Sequence, residues 1–167
     1  DLLEAQHWEV MGLDKDFGLA FSKSQIAAGN SLPTKGLAFI SLKDKHKNEG
    51  IDLAKKLVEL NFTLCGTEGT ANAIKKNGIK CKKVNKVSGG SPHIVDILNA
   101  KKIALVINTG GGKRAHRVQD STSLRRATLI NKVPYCTNMS TAYACLEGIK
   151  SLKSKKIDVK ALQNLFH

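Results

Sequence analysis

The stretch Gly66-Thr-Glu-Gly-Thr70 sets two hydroxyls and two bare backbone positions at the head of a helical pattern. That combination suits a phosphate, because glycine lets backbone come close and the first amides of a helix have no acceptor of their own. The same residues also make an ordinary helix entry, with threonine as a cap. The string is neither a Walker loop, since it lacks the Gly-Lys-Ser/Thr ending, nor a dinucleotide fingerprint. Two further strings occupy similar junctions, Val84-Asn-Lys-Val-Ser-Gly-Gly90 and Asn108-Thr-Gly-Gly-Gly-Lys-Arg114, the latter reading more as a mobile loop than as a ligand cradle. His93, after Pro92, opens a helix as a base, an anion donor or simply a cap, and Asp96 one turn later could orient it. Acid–base catalysis needs converging carboxylates, yet Glu68 is the nearest and Asn108 stands where an acid would be useful. These residues fit a crevice that holds an anion better than one that converts it.

Such residues must be carried to one place by the elements around them. From Leu37 onward, β-like runs alternate with amphipathic stretches: Leu37 to Leu42, Asn48 to Leu60, Phe62 to Cys65, Thr70 to Asn77, Cys81 to Val87, Pro92 to Ala100, Ile103 to Ile107, Thr122 to Asn131, Val133 to Thr137 and Thr141 to Leu152. This βαβα alternation predicts an α/β fold, an open parallel sheet of five strands with helices on both faces. In the second run Ile51, Ala54, Leu57, Val58 and Leu60 share one face, opposite Lys55, Lys56 and Glu59. Asn61 and Gly78 stand where helix C-terminal caps belong. The unbroken apolar run Ile103 to Ile107 reads as a central strand buried on both sides. In such sheets anions collect beyond the carboxyl ends of the strands, where all three glycine-bearing strings fall. Upstream, Asp16 to Ala28 reads as a helix and Leu32 to Gly36 as a hinge, while Asp158 to Phe166 reads as a short appended helix.

With 167 residues, 41% apolar and 25% charged, one compact domain is expected. The 27 Lys and Arg against 14 Asp and Glu leave a formal charge of +13, which favours anionic partners. The lysine pairs are spread along the chain, and only 5% of residues are aromatic, so a base-stacking platform for nucleic acid is not expected. The four cysteines have no Cys-x-x-Cys spacing and no paired histidines, so no metal site is expected; reduced thiols and a cytoplasmic location fit them better. No stretch reaches the roughly 18 apolar residues of a membrane span, and no charged-then-apolar leader opens the chain.

Collinear strings then carry a resemblance. Glu9 to Gly29 resembles the end of the second synthetase (ATP-grasp) half of the large subunit of glutamine-dependent carbamoyl phosphate synthases. From Gly36 the chain resembles that subunit's C-terminal allosteric domain, through Thr67-x-Gly-Thr70, Val84-Asn-Lys-Val87, Pro92-His-Ile, Ile107-Asn-Thr109 and Asp120-Ser-x-x-x-Arg-Arg126. The resemblance implies a three-layer α/β/α fold of methylglyoxal synthase-like, Rossmann-like type with strand order 3-2-1-4-5. It divides the chain into residues 1–8 outside the family, residues 9–35 ending the synthetase half, and residues 36–167 as the allosteric domain.

It also implies an effector site for a nucleotide monophosphate, uridylate (UMP) inhibiting and inosinate (IMP) activating, with phosphate contacts on Lys47, Thr67, Thr70 and Lys86. The ribose and base side falls on Asn108, Thr109, Asp120 and Ser121, and ornithine contacts fall on Tyr135 and Thr137. Two departures are visible: Gly110-Gly-Gly112 where the family often has Thr-Ser-Gly, and Cys136 where the ornithine stretch has an acid. The parent enzyme uses ATP with Mg or Mn, glutamine and bicarbonate, and pairs with a small glutaminase subunit. Its ATP-grasp machinery is upstream, so this stretch is expected to be non-catalytic and without a cofactor, with self-association through the domain as a further expectation. Two other readings stay open. One is a methylglyoxal synthase-like lyase acting on dihydroxyacetone phosphate; the other is a basic inter-domain module with no small ligand.

Overall fold

Residues 32–110 and 115–165 are described by the computed structural model of the chain. The expected helix Asp16 to Ala28, the assignments of residues 1–8 and 9–31, and the stretch Gly111 to Arg114 lie outside them. Five parallel strands form one sheet in the order β3-β2-β1-β4-β5, the order implied by the resemblance. They are β1 (Gly36–Ser41), β2 (Phe62–Gly66), β3 (Lys82–Lys83), β4 (Leu105–Asn108) and β5 (Tyr135–Cys136). The helices between them are α1 (Lys47–Glu59), α2 (Glu68–Lys76), α3 (Ile94–Asn99), α4 (Ala115–Ile130) and α5 (Met139–Leu165).

Strand side chains alternate between two cores, as the two-residue period of a strand requires. Ala38 and Ile40 of β1, with Leu105 and Ile107 of β4, face the layer of α1, α2 and α5, where Leu53, Leu57, Ile74 and Ile149 pack. Phe39 and Val106 face the other layer, with Ile94 and Leu98 of α3 and Leu124 and Ala127 of α4. Each such leucine or isoleucine, withdrawn from water, contributes roughly 1.5–3 kcal/mol. On α1 the buried stripe is Gly50, Leu53, Ala54 and Leu57, not the expected Ile51-to-Leu60 face, and Val58 is 46% exposed. Gly50 lies on that stripe because a Cβ there would stand 2.0 Å from Leu42 Cδ1.

Three expectations need correction. The third strand is two residues, not seven: after Val84 donates to the Gly66 carbonyl (2.8 Å), the edge bends away and Asn85 bridges to His93 instead. The helix expected at Thr122 already starts at Ala115. The separate C-terminal helix does not exist as such, because α5 runs unbroken from Met139 to Leu165. The caps stand as expected: Asn61 (φ 69°) and Gly78 (φ 77°) turn left-handed past the ends of α1 and α2. No helix among the described residues is long and apolar enough to cross a membrane.

Candidate functional site

Strand order reverses between β1 and β4, so their carboxyl ends part and leave a crevice. The register places Ser41 opposite Asn108, and Ile40 opposite both Gly66 and Ile107, which brings the loops after β1, β2 and β4 together. A cavity of about 640 Å³ opens there, walled by the β1–α1 loop, the entry of α2, the turn after β3, and Asp120, Ser121 and Leu124 of α4.

The entry of α2 explains both glycines of the Gly66–Thr70 string. Gly66 passes so close to β1 that a Cβ would stand 2.6 Å from the Ile40 carbonyl oxygen, which is a packing requirement. At Gly69 a Cβ would stand 3.0 Å from Lys47 Nζ, so the missing side chain makes room for an ammonium over the helix entry. Thr67, extended (φ −64°, ψ 160°), is the N-cap residue, and its carbonyl accepts the first helical bond, from Ala71 (2.7 Å). The amides of Glu68, Gly69 and Thr70 are therefore the ones with no acceptor inside the helix. Thr67 Oγ1 does not cap; it lies 3.3 Å from both Ser41 Oγ and Thr70 Oγ1. Thr70, expected at the helix start, is inside the helix and 1% exposed, where its hydroxyl accepts the Leu42 amide (3.0 Å).

Of the expected phosphate contacts, Lys47, Thr67, Thr70 and Lys86 all line the cavity. Lys47 heads α1, with Nζ 2.5 Å from Asp44 Oδ1. Lys86 lies beyond β3 and just before the 3-10 turn Val87–Gly89, exposed on the opposite wall. Of the expected ribose and base side, Asn108, Asp120 and Ser121 line the cavity and Thr109 does not. Asn108 is already engaged: its Nδ2 donates to Tyr135 Oη (3.1 Å) and its Oδ1 accepts the Gly110 amide (3.1 Å). Asp120 Oδ2 accepts the Ser88 hydroxyl (2.7 Å). Thr109, 4% exposed, accepts the Lys43 amide (3.1 Å). Tyr135 and Thr137 lie off the cavity, Tyr135 half-buried behind Asn108 and Thr137 exposed. Burial pushes the Tyr135 phenol up, outweighing the lowering by the Asn108 amide.

Sequence reasoning missed Ser41, Lys43, Asp44 and Lys83, which also line the cavity, and gave no role to Ser88 inside the singled-out Val84–Gly90 string. The signal for the first three was position: Ser41 ends the central strand at the switch point and Lys43 and Asp44 follow it, in a loop with no glycine to draw attention. Glu68, with no role expected, is 3.5 Å from Lys83 Nζ, across the cavity's β3 side. The cavity is thus lined by four lysines, 43, 47, 83 and 86, against three carboxylates, Asp44, Glu68 and Asp120. An anion is the favoured guest. His93 lies outside the lining; it is the N-cap residue of α3, its amide donating to Asp96 Oδ2 (2.9 Å), which holds that carboxyl below its ordinary range. Among the described residues no cluster of His, Cys, Asp and Glu could hold a metal ion.

Known proteins carry the same pattern. The family model for the MGS-like domain matches residues 49–137. The chain is 46% identical over 158 residues, 95% of its length, to the carbamoyl phosphate synthase large chain of Mesorhizobium japonicum, covering 13% of that protein. It is 46% identical over 154 residues to the C-terminal section of that large chain from Aquifex aeolicus (92% of this chain, 28% of the relative). To the corresponding section from Methanopyrus kandleri it is 44% identical over 158 residues (94% and 29%). It therefore spans under a third of the curated relatives it matches. The five-stranded 3-2-1-4-5 sheet, the crevice at its switch point and the match over residues 49–137 agree on one conclusion: the chain belongs to the MGS-like domain family.

Proposed function

We propose that this chain is the effector-binding part of a carbamoyl phosphate synthase large chain and that its cavity takes a nucleotide monophosphate, UMP as inhibitor or IMP as activator. The observation that carries the reading is Lys47 Nζ lying 3.0 Å from the Cβ position that Gly69 leaves empty, at the entry of α2. An ammonium, bare backbone and unpaired helix amides converge there, which is what a phosphate dianion needs. A volume near 640 Å³ falls within the range of small-molecule sites. The phosphate rests against Lys47, Thr67 and the α2 entry with Lys86 from across the cavity, and the nucleoside extends toward Asn108, Asp120 and Ser121.

The effector acts by binding the active and inactive arrangements of the whole synthase unequally, since equal affinity shifts nothing. The relatives' names and length support a parent whose synthesis machinery lies elsewhere in the large chain; in our reading that parent works with a small glutaminase subunit and ATP with Mg or Mn, in the cytoplasm. Ornithine acts beside Tyr135 and Thr137, where a buried cysteine, Cys136, stands in place of an acid.

Titrating the 167-residue chain calorimetrically with UMP and IMP tests the reading. We expect one nucleotide to bind at submillimolar concentration and Thr67→Ala and Lys86→Ala each to weaken it. No heat from either at millimolar concentration would refute the reading, as would turnover of dihydroxyacetone phosphate at enzyme-like rates.

A further inference from the structure

His46 stands in the N-cap position of α1 but does not cap it: its backbone is helical (φ −99°, ψ −2°) and its side chain makes no cap bond. The imidazole reaches instead to the end of β4, where Nδ1 is 3.0 Å from Thr109 Oγ1. That hydroxyl already accepts the Lys43 amide (3.1 Å), and the Lys43 carbonyl accepts the His46 amide (2.9 Å). Lys43, Thr109 and His46 therefore close a ring of hydrogen bonds. The Thr109 hydroxyl thus meets two partners from the β1–α1 loop, the Lys43 amide and the His46 ring, and a hydroxyl can both accept and donate.

The other side of the loop is tied as well. The Leu42 amide donates to Thr70 Oγ1 (3.0 Å) on α2, so two consecutive amides are taken by two buried threonines, one after β2 and one after β4, the two strands that flank β1. The Thr109 amide adds a bond to the Ser41 carbonyl (2.9 Å). Lys47, which follows His46, is the residue whose ammonium must stand over Gly69. A long ammonium side chain is only as well placed as the backbone that carries it, and losses at supporting residues reach the site through such geometry.

We propose that His46, acting through Thr109, is a positioning residue that holds the Lys43–Lys47 segment so that Lys47 meets an anion at the α2 entry. This inference rests on the anion-binding reading above. It gives Thr109 a part in the site without contact with the ligand, and it makes the β1–α1 loop the link between the phosphate end of the crevice and the Asn108 end.

The test compares His46→Ala, His46→Asn, Thr109→Val and the double variant His46→Ala/Thr109→Val in the full chain. Calorimetry with inorganic phosphate and with UMP reads affinity, and NMR hydrogen exchange reads the Lys43 amide. His46 is only partly buried, so its variants should keep the fold. Losing one supporting hydrogen bond should weaken binding about 5-fold in His46→Ala and speed Lys43 exchange by a similar factor. Asparagine, which places a polar atom where Nδ1 was, should restore most of both. The double variant should lose no more than Thr109→Val alone, because both act in one ring. Unchanged affinity in His46→Ala, absence of rescue by asparagine, or additive losses would overturn the proposal. If the wild-type chain binds neither phosphate nor UMP, the functional reading fails, and unchanged Lys43 exchange in His46→Ala would separately refute the tether.

Discussion

At residue scale, the Gly66–Thr70 string divides its labour. Gly66 serves the fold by letting β1 and β2 close up, and Thr70, though it lines the cavity, spends its hydroxyl on a buried amide, whereas Thr67 and Gly69 serve the cavity. Gly69→Ala separates the two kinds of role. The added Cβ meets only the far end of the Lys47 side chain, which can move aside, and alanine is the better helix former by about 1 kcal/mol. We expect stability in a urea melt to hold or rise slightly while phosphate affinity falls roughly 3- to 10-fold, the equivalent of 0.7–1.4 kcal/mol. Thr70→Val should do the opposite first: it strands the Leu42 amide in the core and should cost about 1–3 kcal/mol in the same melt, with Thr70→Ser recovering most of it. The sequence showed which residues gather at this entry. It did not show that Thr70 and Thr109 spend their hydroxyls on backbone, because that depends on a loop 28 and 66 residues away in sequence.

At the scale of elements, four helices end the same way, with a left-handed residue after the last turn. Asn61 and Gly78 were legible because those residue types favour that conformation, but Lys101 (φ 62°) and Lys132 (φ 55°) carry no such signal. At the end of α4 the wrap is complete, with the Lys132 amide donating to the Leu129 carbonyl (3.3 Å) and Val133 to Thr128 (2.9 Å). A lysine there bears a Cβ penalty that glycine does not. Lys132→Gly should therefore stabilise the chain by about 1 kcal/mol in chemical denaturation, without change in ligand affinity. Strand existence and order were legible from the alternation of periods. Strand lengths were not: nothing local distinguishes paired Lys82-Lys83 from Asn85, which turns to bridge His93. The phase of α1 escaped too, because Gly50, which reads as neutral in any periodic count, is inside the buried stripe.

At the scale of the molecule, both cores hold thiols that bear on pH stability. Burial pushes Cys65 up to about 12 and Cys81 up to about 11. Below about pH 8.5 these thiols are protonated in both folded and unfolded chains and add no pH dependence. Above it the unfolded chain gives up these protons first, so stability should fall as pH rises from about 9 towards 11. Urea melts at pH 8, 9.5 and 10.5 should show the midpoint falling, and a Cys65→Ala/Cys81→Ala variant should fall less steeply. The +13 charge, read from sequence as mostly solvated lysine, proves focused in one respect: four lysines line the crevice.

Whether that crevice is the anion site is answered most directly by backbone amide NMR of the full chain titrated with UMP and IMP. We expect the largest shift changes at Ser41 to Lys47, Thr67 to Ala71 and Asn85 to Gly89, saturating together with a single affinity. Changes confined to α5 or to the outer face of α4, or none at millimolar nucleotide, would contradict the site proposed here.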